Sequence, residues 1–137
     1  MKEYVLDANA LVRLFRNLDG AAKIQELLIQ ADKKQVLLCI SAVNLAEVLY
    51  VFARYSTLED ARSALRKIQS QVEFVPADPE QALAAAELKA RYKLGLADCF
   101  AAELAIRTGA TLVTADPEFA KLGKQLKVLV LPRHSGN

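Results

Sequence analysis

TLVTADPEFA (111–120) and EFVPADPEQA (73–82) are near copies. Each runs from an apolar segment through Ala-Asp-Pro-Glu into a helical pattern. An Asp before a Pro at such a junction is a good helix cap, because its carboxylate accepts backbone N–H groups and Pro fits the first helical turn. The repeated apolar run, cap and helix predicts strands that alternate with helices. It also poses a question, since either Asp78 or Asp116 could serve chemistry rather than capping.

The same alternation extends outward in both directions. EYVLD (3–7) is an apolar run, followed by helical spacing over 9–16 and 20–34. VLLCI (36–40) reads as a buried strand, and Ser41 as the cap of a helix over 42–55. Thr57, with Asp60 three residues on, opens a helix over 57–70 in near capping-box form. VEFVP (72–76) is the third strand. Asp78 then opens a helix to about Leu94, with Gly95 as its stop. A further helix spans 98–108 and is closed by Gly109. TLVT (111–114) and VLVL (128–131) are the last strands, with a short helix near 117–122 between them. Strands that are apolar throughout and alternate with helices imply an α/β fold with a parallel sheet covered on both faces. Sites in such sheets form at the carboxyl ends of the strands, where the strand order reverses. The residues to weigh are therefore Asp7, Ser41, Asp78 and Asp116.

The 137 residues read as one domain over 1–137, with only His134–Asn137 as a loose tail. At 53% hydrophobic residues the chain can fill a core without staples. The net charge of +2 is too small to argue for nucleic acid from bulk electrostatics. Cys39 and Cys99 lack metal-ligand spacing and read as buried small hydrophobes, consistent with a reducing compartment. No leader pattern and no window of transmembrane length is present, so the protein reads as soluble and cytoplasmic, with no membrane partner.

Of sixteen acids, most fit polar faces. Glu103 and Arg107 read as an i, i+4 pair on a solvated face. Four acids resist that reading. Glu47 lies in AVNLAEVLYVFARY, apolar nearly all round and so read as buried, with Asn44 and Arg54 roughly on its stripe. A carboxylate there must be paired, protonated or bound to a cation; Arg54 is one possible partner. Asp7 ends the first strand, and Asn9 reads as the better-placed cap, which frees Asp7. Asp98 heads a helix about 140° around from Glu103, on a side with Ala101, Ala102 and Ala105, either as a cap or as a functional acid. For Asp116 the cap and the chemical role both stay open. If these acids converge they repel one another. A hard divalent cation, Mg²⁺ or Mn²⁺, would resolve that and would suit phosphodiester hydrolysis.

VLDANAL, SAVNLAEVLY, LGLADCFAAELA and LVTADPEF, in this order, resemble the PIN-domain nucleases, and within them the VapC-type toxins of toxin–antitoxin pairs. The resemblance covers essentially the whole chain. It implies a three-layer α/β/α fold with a five-stranded parallel sheet. It also implies an endoribonuclease in which Asp7, Glu47, Asp98 and Asp116 hold one or two Mg²⁺ or Mn²⁺ ions and RNA is cut by metal-activated water. By the same implication Asn9 and Thr114 are supporting contacts, Asp116 lies near Asp7, and Asp78 is only a cap at the sheet edge. Arg13, Arg16, Lys89, Arg91 and Lys93 could hold an RNA backbone or simply face solvent. The resemblance further implies a homodimer and a small antitoxin laid across an apolar groove. Leu11, Leu14, Phe15, Leu45, Leu49 and Phe52 are the candidate groove residues, or else core.

Two rival readings differ in class. One is a partner that binds an antitoxin and represses its own operon with weak catalysis. The other is a phosphatase or receiver domain. The phosphatase wants a second Asp where Asn9 stands, and the receiver wants a Lys where Ala115-Asp116 follow the strand.

Overall fold

Every apolar run becomes a strand. The computed structural model describes residues 1–133, and the expected loose tail at 134–137 lies outside the described residues. Strands β1 (Lys2–Leu6), β2 (Val36–Ser41), β3 (Val72–Val75), β4 (Thr111–Thr114) and β5 (Lys127–Val130) form one parallel sheet in the order β3-β2-β1-β4-β5. The chain steps outward from β1 to β3, then returns to the other side of β1 for β4. The order therefore reverses between β1 and β4.

Helices α1 (Ala8–Phe15), α2 (Ala21–Asp32), α3 (Ala42–Tyr55) and α4 (Leu58–Ile68) lie on one face of the sheet. Helices α5 (Pro79–Arg91) and α6 (Leu96–Thr108), with a 3₁₀ segment over Pro117–Gln125, lie on the other. The central strands are apolar at successive positions because they feed both layers. Leu6 and Val113 pack with α1–α4, whereas Val5 and Leu112 pack with α6, and all four are fully buried. This is the three-layer α/β/α architecture. Among the described residues no helix is long and apolar enough to cross a membrane.

Most caps fall where expected. Ser41 Oγ accepts Val43 N–H at 3.3 Å, and Thr57 Oγ1 accepts Asp60 N–H at 3.0 Å. The Thr57 box is only half formed, because the Asp60 carboxylate takes the Ser56 hydroxyl instead. Asp78 makes a complete capping box with Gln81, at 2.8 and 3.1 Å.

Two expectations need correction. Gly95 does not stop α5, which ends at Arg91. Its backbone is extended (φ −61°, ψ 151°) and it precedes α6, so that helix starts two residues earlier than expected. Helix α3 is not buried all round: only Asn44 and Val48 are fully covered. Its Leu45 and Leu49 line a cavity of about 360 Å³ shared with Arg62, Arg66 and Phe74. Arg54 is exposed and its guanidinium lies 5.2 Å over the Tyr50 ring.

Candidate active site

The register of β1 against β4 pairs Leu6 with Val113, which brings the residues just beyond, Asp7 and Thr114, side by side. The backbone N–H of Asp7 donates to Val113 O at 3.2 Å. The Asp7 Oδ1 accepts Ala10 N–H at 2.8 Å, so Asp7 itself caps α1. This corrects the assignment of that cap to Asn9, which is exposed. The reason is the helix start: α1 begins at Ala8, immediately after the strand, leaving Asp7 as the last extended residue. The Asp7 Oδ2 accepts the Thr114 hydroxyl. Thr114 Oγ1 in turn accepts Asp116 N–H at 2.9 Å, so one fully buried hydroxyl ties the first acid to the backbone of the last.

Asp7 is 2% exposed. Burial pushes its pKa from the usual 3.8 to about 7, with the nearby charges of Asp98 and Asp116 adding to the rise. The hydrogen bonds from Thr114 and Ala10 oppose that rise without cancelling it.

Asp98 is the third residue of α6 rather than its cap. It accepts the Gly95 N–H, and a Cβ on Gly95 would stand 3.3 Å from Asp98 Oδ2. The glycine therefore leaves room for the carboxylate to fold back on the helix start. Burial first, and then the charges of Glu47, Asp116 and Glu118, raise the Asp98 pKa to about 6 against the lowering effect of the Gly95 hydrogen bond. Glu47 is half-buried on α3; burial raises its pKa and a hydrogen bond from Asn44 lowers it. Asp116 is also half-buried, and its Oδ1 accepts Glu118 N–H at 2.9 Å at the head of the 3₁₀ segment.

The four acids thus come from the ends of β1 and β4 and from α3 and α6, and they act on one another. Among the described residues no Lys or Arg forms an ion pair with any of them. Neither are three of them grouped tightly enough to hold an ion as they stand. Their coupling is through the field rather than through a closed cage. An all-oxygen set of mutually repelling carboxylates, one of them buried without a cationic partner, has the donor chemistry of a hard divalent cation.

Asp78 stands apart. It is exposed, follows the edge strand β3 and is consumed by its capping box. The basic residues divide too. Arg13 is 2% exposed; its Nε donates to Asp19 O at 2.7 Å and its Nη2 reaches Pro132 O at 3.4 Å. It clamps the chain beyond β5 onto α1 and is not available to a phosphate. Arg13→Leu is expected to lower unfolding stability by about 2–4 kcal/mol, measured by urea denaturation, because carbonyls that accepted a charged donor lose it. Arg16 is exposed, stacked 3.5 Å over the Tyr55 ring. Arg91 and Lys93 are exposed, and Lys89 Nζ donates to Leu94 O at 2.7 Å, bracing the turn before α6. Glu103 is buried rather than solvated, with Arg107 Nε 2.8 Å away.

Of the groove candidates, Leu11 is fully buried core, while Phe15 and Phe52 meet with ring centroids 5.3 Å apart at the edge of a second hollow. Three further residues lie near the acids. Asn44 bridges α3 to α6, Glu118 adds charge near Asp98, and Lys121 Nζ joins Glu118 to the Lys93 carbonyl at 2.7 and 2.9 Å. The local signals are i, i+3 spacings, Asn44 to Glu47 and Glu118 to Lys121.

A parallel sheet in this order, with acids gathered at its switch point, is the arrangement of a PIN domain. The PIN-domain family model matches residues 4–125, and the chain belongs to that family. Among solved structures it is similar to VapBC2 of Rickettsia felis bound to a DNA fragment from its promoter (24% identity, 95% of this chain and 99% of that one, TM-score 0.74). It is also similar to DNA-bound VapBC of Salmonella typhimurium (19%, 95% and 98%, 0.75). A third similar structure is Mycobacterium tuberculosis VapC20, a sarcin-ricin loop cleaving toxin (16%, 94% and 99%, 0.72). No curated protein matches the sequence.

Proposed function

We propose that this PIN domain is a VapC-type toxin: an endoribonuclease that hydrolyses RNA phosphodiester bonds with Mg²⁺ or Mn²⁺. One observation carries the reading. Asp7, Glu47, Asp98 and Asp116, from the ends of β1 and β4 and from α3 and α6, act on one another through their charge without a single cationic partner among the described residues. Such a set is costly unless it serves a cation. The family membership and the sarcin-ricin loop cleaving toxin among the similar structures support the same reading.

Asp7, Glu47, Asp98 and Asp116 would hold the ion, which when bound activates water and neutralises charge on the scissile phosphate. The chain's own contribution is positioning. Thr114 holds one oxygen of Asp7 and the Asp116 backbone in one frame. Gly95 fixes Asp98 at the helix start. The exposed Arg16, Arg91 and Lys93 are the side chains left to meet an RNA backbone. The partners of this reading are an antitoxin seated on the apolar hollow of α3 and α4, and a second copy of the chain. The working compartment is the cytoplasm.

The test is cleavage of a structured RNA pool by wild type and Glu47→Gln, with Mg²⁺ or Mn²⁺ and with EDTA. Cutting by wild type alone, abolished by EDTA, is the expected result. A folded wild type that binds the metal but cuts nothing would shift the function to partner binding and operator control.

A further inference from the structure

Asn44 is the anomaly of α3. It is wholly buried, the one polar side chain of α3 that is. Its Nδ2 donates to Glu47 Oε1 at 3.3 Å and to Ala97 O at 3.0 Å. Both neighbours are acceptors, so the amide can only stand with its nitrogen toward them. Its Oδ1 then faces the interior and has no hydrogen-bond partner among the described residues. A buried, unsatisfied amide oxygen is destabilising and offsets what the two donated bonds contribute. Stability therefore does not account for Asn44.

The two groups it joins do account for it. Glu47 is the acid of α3, and Ala97 is the residue immediately before Asp98, the acid of α6. The Glu47 charge is the strongest acidic influence on Asp98, so the two carboxylates push apart. A neutral double donor between them holds one carboxylate and the helix start of the other in a fixed relation. We infer that Asn44 is a positioning residue that sets the separation of Glu47 and Asp98 by tying the Glu47 carboxylate to the Ala97 carbonyl. The inference rests on the metal-site reading above.

The experiment is a calorimetric Mn²⁺ titration, with thermal unfolding of the same samples, on wild type, Asn44→Leu, Asn44→Thr and Glu47→Gln. Asn44→Leu keeps the branched shape and removes both donors. It should stay folded, because losing the orphan oxygen offsets part of the donor lost to Ala97 O, yet bind Mn²⁺ about tenfold more weakly, as loss of a partner that orients a metal ligand does. Asn44→Thr retains one donor and should fall between the two. Asn44→Leu that is folded and binds Mn²⁺ like wild type overturns the inference. If Asn44→Leu does not fold, Asn44→Thr decides in the same way: weaker binding at an unchanged melting temperature supports it, wild-type affinity overturns it. The metal-site reading itself fails in a different way, with a wild type that takes up no Mn²⁺ or a Glu47→Gln that binds as wild type does.

Discussion

Asp7→Asn is expected to abolish metal-dependent cleavage and, at pH 8 without metal, to make the protein more stable than wild type. The two effects share one cause. In the folded chain Asp7 is buried and holds its proton up to about pH 7, whereas unfolded it ionises near 3.8. Between these values the folded state binds the proton that the unfolded state has released. Stability is therefore full below about pH 4 and is lost as pH rises toward 7, by about 4 kcal/mol at most for this one group. Asp98, with its pKa raised to about 6, adds to the same trend with a smaller effect, because it is partly solvated. Asn at position 7 is neutral at every pH. Its Oδ1 can still cap Ala10, but the Thr114 hydroxyl loses its carboxylate acceptor, which costs about 1–2 kcal/mol. The net gain at pH 8 is then roughly 2 kcal/mol, shrinking to nothing or reversing at pH 4. Urea unfolding of both proteins in EDTA at the two pH values measures it. A variant less stable than wild type at pH 8 would mean that the buried Asp7 charge is not what the fold holds at a cost.

The capping geometry behind this prediction was not legible in the sequence. The helical spacing begins at 9, one residue after the true start at Ala8, and that single shift gives the cap to Asn9. The same kind of slip put Asp98 at the head of α6, since Gly95 marks a boundary equally well from either side and only its extended backbone shows which helix it serves. The sheet and its layers were legible, because the strands are continuous apolar runs and Ser41, Thr57 and Asp78 are caps with their partners nearby in sequence. Arg13 was out of reach for the opposite reason. The carbonyl that helps bury it belongs to Pro132, 119 residues away, and nothing local distinguishes it from the exposed Arg16. The apolar pattern of α3 also reads alike whether its residues fill a core or line an open hollow. The four acids could be picked out as misfits one at a time. Their convergence comes from strand order, which local pattern does not encode.

Strand order also separates the twin motifs, and a pair of substitutions reads the separation directly. Asp116 follows β4, which lies against β1, and its charge reaches both Asp7 and Asp98. Asp78 follows β3, at the edge of the sheet, and its side chain closes a reciprocal box with Gln81. Asn caps helices about as well as Asp, so neither Asp116→Asn nor Asp78→Asn should unfold the protein. Only the charge differs. Asp116→Asn should lose at least about a hundredfold in metal-dependent cleavage, since even partners that merely orient a ligand cost ten- to hundredfold. Asp78→Asn should cut as wild type does, and Asp78→Ala should also cut while losing about 1 kcal/mol of stability with its cap. RNA cleavage in Mn²⁺, with circular dichroism melts on the same preparations, tests all three variants. Wild-type cutting by Asp116→Asn would remove that residue from the site. Lost cutting in a well-folded Asp78→Asn would place chemistry at the sheet edge, away from the β1–β4 switch point.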